Sequence, residues 1–416
     1  MIKKIIFAVV IVGILGTVGL LGWRFLFGDP DTSLVETSGN LLPFGSGDNL
    51  DTQQVEDGGI NTNGGISEEI PDEGFITPIK NLFQIASSPV AGFVTIEKSG
   101  KTVVRYADRA TGNIYDAILP NATSSNLEKI RVTNNTLPKI YEAHFKSDGN
   151  AVLFRSVEDG DDFIKNLLLN LTPPQASSTL YSVSSIDLRG DLGQVSTGRD
   201  NFLYYVLEDS GSIVSTNFSG TGARTLFSSS FDNWRIEPAG TNLLLYTKPS
   251  TKAYGYAYFL NSSNGAISKV LGPLNGLVAK PNSQGTRVAY SHYNNNRTYL
   301  FVKNLENNRD SEVSPATLAE KCAWSTKIDN HLYCGVKSTN QNTEEPDSWY
   351  RGETQFSDNI WRFDTGGEIA EILSEPKSEI AANIDMYTPK LSLKEDYLVF
   401  INRTDLSLWV LKLENI

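Results

Sequence analysis

Cysteine and histidine are scarce in this sequence, whose 416 residues contain two cysteines and three histidines. His144, His292 and His331 lie far apart, and none has a second ligand at the spacing of a zinc site. The Gly-x-Ser-x-Gly turn that presents the nucleophile of many serine hydrolases is also missing. The sequence thus shows no catalytic motif, and we interpret the histidines as structural and expect no cofactor.

Basic residues are absent from a long N-terminal segment. Residues 28–74 contain eleven Asp and Glu, several Gly and no Lys or Arg. Such a segment buries too little apolar surface to offset its ordering entropy, which predicts a flexible linker with a reach of about 35–40 Å. A site for a basic partner or for divalent cations is the alternative. The net charge of −12 argues against nucleic acid as a partner.

An apolar run precedes this linker. Residues 5–27 contain a single charge, Arg24, and about 23 residues at roughly 1.5 Å each can cross a hydrocarbon core of about 30 Å. Lys3 and Lys4 precede the run, so the positive-inside rule places residues 1–4 in the cytoplasm and the body outside. The bulky Gly-Trp-Arg-Phe-Leu-Phe sequence at its end offers no cleavage site. We expect an uncleaved anchor held by membrane lipid, with a removed signal peptide as the alternative.

Residues 75–416 consist of short apolar segments separated by polar turns, without sustained helical periodicity. One pattern recurs about every 40–65 residues, the size of a propeller blade: a strand, a turn with Gly, Asp or Asn, and a second strand ending in Tyr or Phe. The copies begin near Val90, Tyr141, Ser196, Trp234, Val278, Cys322 and Pro389. They predict an all-β propeller of about seven four-stranded blades, whose last blade is completed by a strand within residues 75–85. Two β-sandwich domains are the alternative.

The pattern resembles the repeat of TolB-like and WD40-like propellers, with turns such as Phe145-Lys-Ser-Asp-Gly149 and Trp324-Ser-Thr-Lys-Ile-Asp-Asn330 between the first two strands of a blade. The chain is also similar to single-pass membrane propeller proteins of small-genome bacteria, on the phrase Cys322-Ala-Trp-Ser325 and the second cysteine, Cys334. The resemblance implies the fold and leaves the activity open, because propellers serve in binding, scaffolding and catalysis.

The two cysteines flank one predicted hairpin, whose turn lies near residues 327–329. This register places Cys322 opposite Cys334, and opposed residues of a non-hydrogen-bonded pair have Cα atoms about 4.5 Å apart, within the range of a disulfide. A disulfide would also agree with a location outside the cytoplasm. The alternative is a pair of reduced, half-buried cysteines.

Two loops carry candidate binding residues. The insertion Ser338–Asp358 is longer than a blade needs, and its Trp349, Tyr350 and Arg351 are candidate partner contacts; packing against the neighbouring blade is the alternative. A second loop is dense in carboxylates that could bind calcium, although it lacks the spacing of a calcium loop and a solvated turn is the favoured interpretation. These carboxylates belong to Glu158, Asp159, Asp161 and Asp162.

Together these features predict a propeller outside the cytoplasmic membrane that binds a protein or glycan of the cell envelope, or serves there as a scaffold. The alternative function is a glycan hydrolase or lyase that uses carboxylates in the propeller funnel.

Overall fold

The computed structural model describes residues 81–413, except for residues 122–125, 158–163, 176–178, 199–200 and 340–342. Within these ranges no helix is both long and apolar enough to cross a membrane. The predicted anchor (5–27) and linker (28–74) lie outside the described residues, and so do the candidate calcium ligands Glu158, Asp159, Asp161 and Asp162. These interpretations therefore stay predictions.

The described residues form seven antiparallel sheets of four strands each, which we number as blades 1–7. Blade 1 contains β2 (Val90–Lys98), β3 (Lys101–Asp108), β4 (Ile114–Ile118) and β5 (Glu128–Arg131). Blade 2 contains β6 (Ile140–Phe145), β7 (Ala151–Val157), β8 (Ile164–Thr172) and β9 (Ser182–Asp187). Blade 3 contains β10 (Leu192–Thr197), β11 (Phe202–Leu207), β12 (Ile213–Asn217) and β13 (Arg224–Phe227). Each blade follows the chain in order, as the recurring pattern predicts.

The remaining blades repeat this plan. Blade 4 contains β14 (Trp234–Ala239), β15 (Asn242–Thr247), β16 (Tyr254–Asn261) and β17 (Ile267–Asn275). Blade 5 contains β18 (Val278–Pro281), β19 (Arg287–Asn294), β20 (Arg297–Asn304) and β21 (Arg309–Val313). Blade 6 contains β22 (Cys322–Trp324), β23 (His331–Lys337), β24 (Asp358–Asp364) and β25 (Ile369–Ser374). Blade 7 contains β26 (Met386–Leu391), β27 (Tyr397–Asn402), β28 (Leu408–Lys412) and, as its fourth strand, β1 (Leu82–Ala86).

Strand β1 closes the ring, because the first described strand joins the sheet formed by the last three. It runs antiparallel to β28, with Leu82 opposite Leu411 and Phe83 opposite Val410. The predicted closing strand is thereby confirmed, at Leu82–Ala86. A closed ring packs both faces of each blade against its neighbours and leaves only the outer edge strands exposed, which an isolated four-stranded sheet cannot achieve.

The core of the propeller is divided among the blade interfaces. Seven hydrophobic clusters of described residues each lie between two neighbouring blades, including one between blades 7 and 1. In that cluster Ile85 and Val399 of blade 7 pack against Phe93 and Val104 of blade 1. Because the side chains of a strand alternate between its two faces, each inner strand contributes side chains to two of these interfaces. The alternative of two β-sandwiches is wrong, since their cores would lie between pairs of sheets and would not follow a ring.

Tight turns connect the strands within a blade. Ser99 and Gly100 both adopt positive φ, 51° and 77°, between β2 and β3, the backbone of the two-residue turn that matches strand twist in hairpins. Asn295 and Asn296 do the same between β19 and β20, at 47° and 58°. Among the described residues, helical structure is limited to a 3-10 turn, Ala319–Lys321, and to two short helices, Asp347–Tyr350 and Pro376–Ile380.

Candidate functional site

The first strand of each blade lines the axis of the ring. These strands contact one another in succession: β2 with β6, β6 with β10, β10 with β14, β14 with β18, and β22 with β26. The 3-10 turn Ala319–Lys321 connects β18 with β26. Lys390 Nζ of β26 donates to the Phe93 carbonyl of β2 at 3.1 Å, and Thr95 Oγ1 of β2 donates to the Leu391 carbonyl at 3.2 Å. We call the space that these strands enclose the channel.

Two glutamates of the first strands are held in ion pairs. Glu237 Oε2 of β14 lies 2.8 Å from Lys280 Nζ of β18, which joins blades 4 and 5. Glu142 of β6 contacts Arg155 Nη1 at 2.9 Å and His144 Nε2 at 3.1 Å. Burial would raise the pKa of Glu142, but His144 and Arg155 outweigh it and lower that pKa to about 2. Glu142 is therefore ionised near neutral pH, and both glutamates have the paired surroundings of structural side chains.

Glu320, in the 3-10 turn, has a different environment. Burial raises its pKa to about 7, although the Tyr350 hydroxyl, which hydrogen-bonds the carboxyl group, and Arg235 lower it. Its Oε1 is buried and has no hydrogen-bond partner among the described residues. Near neutral pH this carboxyl group can thus exchange a proton. Tyr387 of β26 lies near Glu320, and the charge of Glu320 contributes to the raised pKa of the Tyr387 hydroxyl, after the larger effect of burial.

The blade 6 insertion (Ser338–Asp358) covers the end of the channel near Glu320. Asp347 Oδ2 accepts a hydrogen bond from Thr251 Oγ1 in the connection between β15 and β16 of blade 4. Glu345 Oε2 accepts one from Thr298 of β20 in blade 5, at 3.1 Å, and Glu345 Oε1 lies 2.7 Å from Lys337 in blade 6. The insertion is therefore fixed to three blades and places Tyr350 beside Glu320.

The three candidate contact residues of the insertion differ in their exposure. Trp349 is fully buried, and its Nε1 donates to Asp385 Oδ2 at 2.9 Å. Tyr350 is half-buried, and Arg351 is exposed beside Glu353, 2.7 Å away. The indole thus packs within the protein, which was the alternative interpretation. Contact of Tyr350 and Arg351 with a partner stays a prediction.

The predicted disulfide is present. Cys322 and Cys334 are bonded and lie directly opposite each other on β22 and β23, with Cα atoms 4.1 Å apart. The short distance is that of a non-hydrogen-bonded pair in an antiparallel ladder, as the hairpin register predicts.

The three histidines lie in separate places, and their structural role stays a prediction. His144 contacts Glu142 at the channel wall. His292 packs against both Tyr299 and Phe301, with its ring centroid 5.6 Å from each of theirs. His331 lies at the start of β23. Across the described ranges no three His, Cys, Asp or Glu side chains form a group that could bind a metal ion.

Sequence reasoning missed Glu320 and Lys321. They lie in the linking turn before the strand Cys322–Trp324, and a Glu-Lys pair in such a position resembles an ordinary exposed turn. Lys321 is nevertheless buried, with 1% of its side chain exposed. The one available signal was position, because the pair directly precedes the first strand of a blade, where side chains face the axis or a blade interface.

The sequence matches no protein-family model and no curated protein. In fold it is similar to virginiamycin B lyase from Staphylococcus aureus, with 14% identity, a TM-score of 0.48, and coverage of 80% of this chain and 99% of that one. The beta-propeller domain of Cps50 (Swd1) from Myceliophteria thermophila gives 10% identity, a TM-score of 0.47, and coverage of 80% and 100%.

TolB from Acinetobacter baumannii gives 11% identity and a TM-score of 0.39, over 65% of this chain. This chain spans 58% of the length of that TolB chain. At such identities the likeness concerns the fold alone. The propeller assignment itself rests on the seven sheets, the closing strand and the ring of interface clusters.

Proposed function

We propose that this protein is a single-pass membrane protein whose propeller lies outside the cytoplasmic membrane and binds a protein or glycan of the cell envelope. Support for the location comes from the apolar run at residues 5–27, the acidic linker at residues 28–74 and the Cys322–Cys334 disulfide. Membrane lipid would hold the N-terminal helix, and the linker would keep the propeller clear of the lipid headgroups.

The observation that carries the binding function is the fixed blade 6 insertion. It is longer than its blade needs, yet contacts with blades 4, 5 and 6 hold it at one end of the channel. Its outer side presents charged, exposed residues, including Arg351 and Glu353. A surface that is already ordered loses little conformational entropy on binding, so a partner would bind more tightly there than to a flexible loop.

Site-specific photocrosslinking tests this proposal. The full chain, with a photoreactive residue at Glu353 of the insertion, is irradiated in membranes that contain the envelope of the source cell. The matched control carries the same group at Asp148, an exposed turn residue between β6 and β7 on the opposite end of the propeller. We expect a discrete adduct at Glu353 and none at Asp148. Equal labelling at both positions, or none, would contradict a binding surface on the insertion.

The membrane location needs a separate test. Full-length protein should stay in the membrane pellet after alkaline extraction, whereas the Ile11→Lys/Leu15→Lys variant should move to the supernatant, because two charges near the centre of a helix oppose insertion by several kcal/mol. An Ile11→Ala/Leu15→Ala variant controls for the loss of the side chains. Release of the wild-type chain by alkali would refute the anchor.

The environment of Glu320 supports a second candidate function, that of a hydrolase or lyase that cleaves an envelope glycan. A carboxyl group with a pKa of about 7 has the acidity of a general acid. A glycosidase also needs a second carboxylate, and Glu237 is engaged by Lys280. Glycan turnover that is lost in Glu320→Gln would support the enzyme, whereas equal turnover by both proteins would exclude this role for Glu320.

A further inference from the structure

Three charged side chains meet in a buried pocket where blade 6 adjoins blade 7. Lys321 ends the 3-10 turn, Asp358 begins β24, and Asp385 precedes β26. Lys321 Nζ lies 2.6 Å from Asp358 Oδ2 and 2.8 Å from Asp385 Oδ1, and the three side chains are 1%, 0% and 0% exposed. The rings of Phe356 and Trp349 lie 4.5 and 5.5 Å from Nζ. The amine and both carboxyl groups are thus shielded from water by aromatic walls.

The two aspartates have unequal surroundings. Asp385 accepts hydrogen bonds from Trp349 Nε1 at 2.9 Å and from the Phe356 amide at 3.2 Å, besides its contact with Lys321. Asp385 Oδ1 lies 2.8 Å from Lys321 Nζ, so it is placed to accept a proton from the ammonium group.

Asp358 has fewer donors. Its Oδ2 accepts from the Met386 amide at 2.8 Å, while its Oδ1 is buried without a partner among the described residues. Burial, assisted by the charge of Asp385, raises the pKa of Asp358 to about 6 although Lys321 opposes the shift. The carboxyl group can therefore carry a proton on Oδ1, and the Met386 N–H polarises the bond from Cγ to Oδ2.

We propose that Lys321 and Asp358 form an intramolecular amide bond, with Asp385 as the proton acceptor. Lys321 passes one ammonium proton to Asp385, and the freed amine attacks Cγ of the protonated Asp358 side chain. The new C–N bond forms as the bond from Cγ to Oδ1 breaks. Oδ1 leaves as water, which carries the proton of the Asp358 carboxyl group and a second proton from the ammonium group. The third ammonium proton stays on the amide nitrogen. The step balances with the loss of one water and needs no oxidant or cofactor.

The charged form of Lys321 predominates before reaction. Burial disfavours the ammonium, but Asp358 and Asp385 outweigh it and raise the pKa of Lys321 above its ordinary value. Each chain needs to react only once, so a rarely populated neutral amine is sufficient. Amide formation also removes a buried ammonium, whose desolvation is costly even when it is paired. Together with the disulfide at the adjacent residue Cys322, the amide would link the start of blade 6 to both β23 and β24.

Mass spectrometry of the full chain tests the bond directly. The protein is purified in detergent, denatured, reduced and alkylated. We expect an intact mass lower by one water molecule than the mass calculated for the sequence with both cysteines alkylated. We also expect trypsin to leave the chain uncut after Lys321, so that fragment 310–327 is recovered joined to fragment 352–362. A full mass together with a separate peptide that ends at Lys321 would overturn the proposal and leave an ion pair only.

A variant isolates the role of Asp385. Asp385→Asn keeps the size of the side chain and an oxygen acceptor for Trp349 but cannot take up the proton, so we expect the full mass. The matched control is Asp209→Asn at an exposed turn residue, which should lose water as the wild type does. Water loss in Asp385→Asn would contradict the assignment of Asp385. The wild-type mass decides the bond itself even if the variant does not fold.

Discussion

Removing the side chain of Leu82 tests whether β1 closes the ring. Leu82 is 2% exposed and packs in the cluster between blades 6 and 7, together with Leu398 and Leu411. A buried Leu→Ala substitution costs about 2–5 kcal/mol, from lost transfer energy and the cavity left behind. An unfolding entropy of about 2.1 cal/mol/K per residue gives about 0.7 kcal/mol/K for roughly 330 residues. We therefore expect Leu82→Ala to lower the Tm by about 3–7 °C.

The assay is thermal unfolding of the full chain in non-ionic detergent, followed by tryptophan fluorescence. Gln84→Ala is the matched control, because Gln84 lies on the same strand and is only half-buried. Its Tm should change by less than about 1 °C, as surface substitutions usually do. If Leu82→Ala and Gln84→Ala behaved alike, β1 would not complete blade 7, and the closure derived from the strand pairing would be refuted.

Three further predictions concern blade 6 and the channel. Cys322→Ala/Cys334→Ala should lower the free energy of unfolding by up to about 3 kcal/mol, the chain-entropy value for a short loop. Guanidinium titration against the oxidised wild type measures this loss, and equal midpoints would contradict it. Trp349→Phe should lower the free energy of unfolding by about 1–3 kcal/mol in the same titration, since the buried carboxyl group of Asp385 loses a hydrogen-bond donor, and an unchanged midpoint would show that the indole N–H is not needed. Glu320 keeps its proton in the folded state up to a pKa of about 7, against 4.5 when unfolded, so the folded state binds more protons and wild-type stability should fall as pH rises between these values. Glu320→Gln should be less sensitive to pH over that window in Tm measurements, and parallel pH curves for the two proteins would refute the assignment.

Much of the fold could be predicted because its signals are local. The alternation of apolar and polar residues and the turn pairs recur in each blade, so strand content and blade number follow from neighbouring residues alone. The disulfide could be predicted for the same reason, since one hairpin register places Cys322 opposite Cys334. The closing strand needed one further step, because the last blade lacks a strand that only the N-terminal side of the domain can supply.

The candidate site could not be predicted, because it depends on residues from distant blades. The Trp349 indole packs with Leu318 and Phe356, and Asp385, 36 residues further along the chain, accepts its N–H. In the sequence alone, this tryptophan lies in a long polar insertion, where a contact with a partner is as plausible as packing within the protein. No local pattern records that the insertion is fixed to Thr251 and Thr298 of other blades.

The sequence by itself determined the all-β class, the repeated blades and the paired cysteines, because each depends on short-range periodicity and on the register of one hairpin. Only the tertiary structure decided the environments of the adjacent residues Glu320 and Lys321. Glu320 lies beside Tyr350 at the channel, whereas Lys321 lies between Asp358 and Asp385 in a buried pocket. Burial and charge partners set the chemistry of an ionisable group, and ring closure brings those partners together from separate blades.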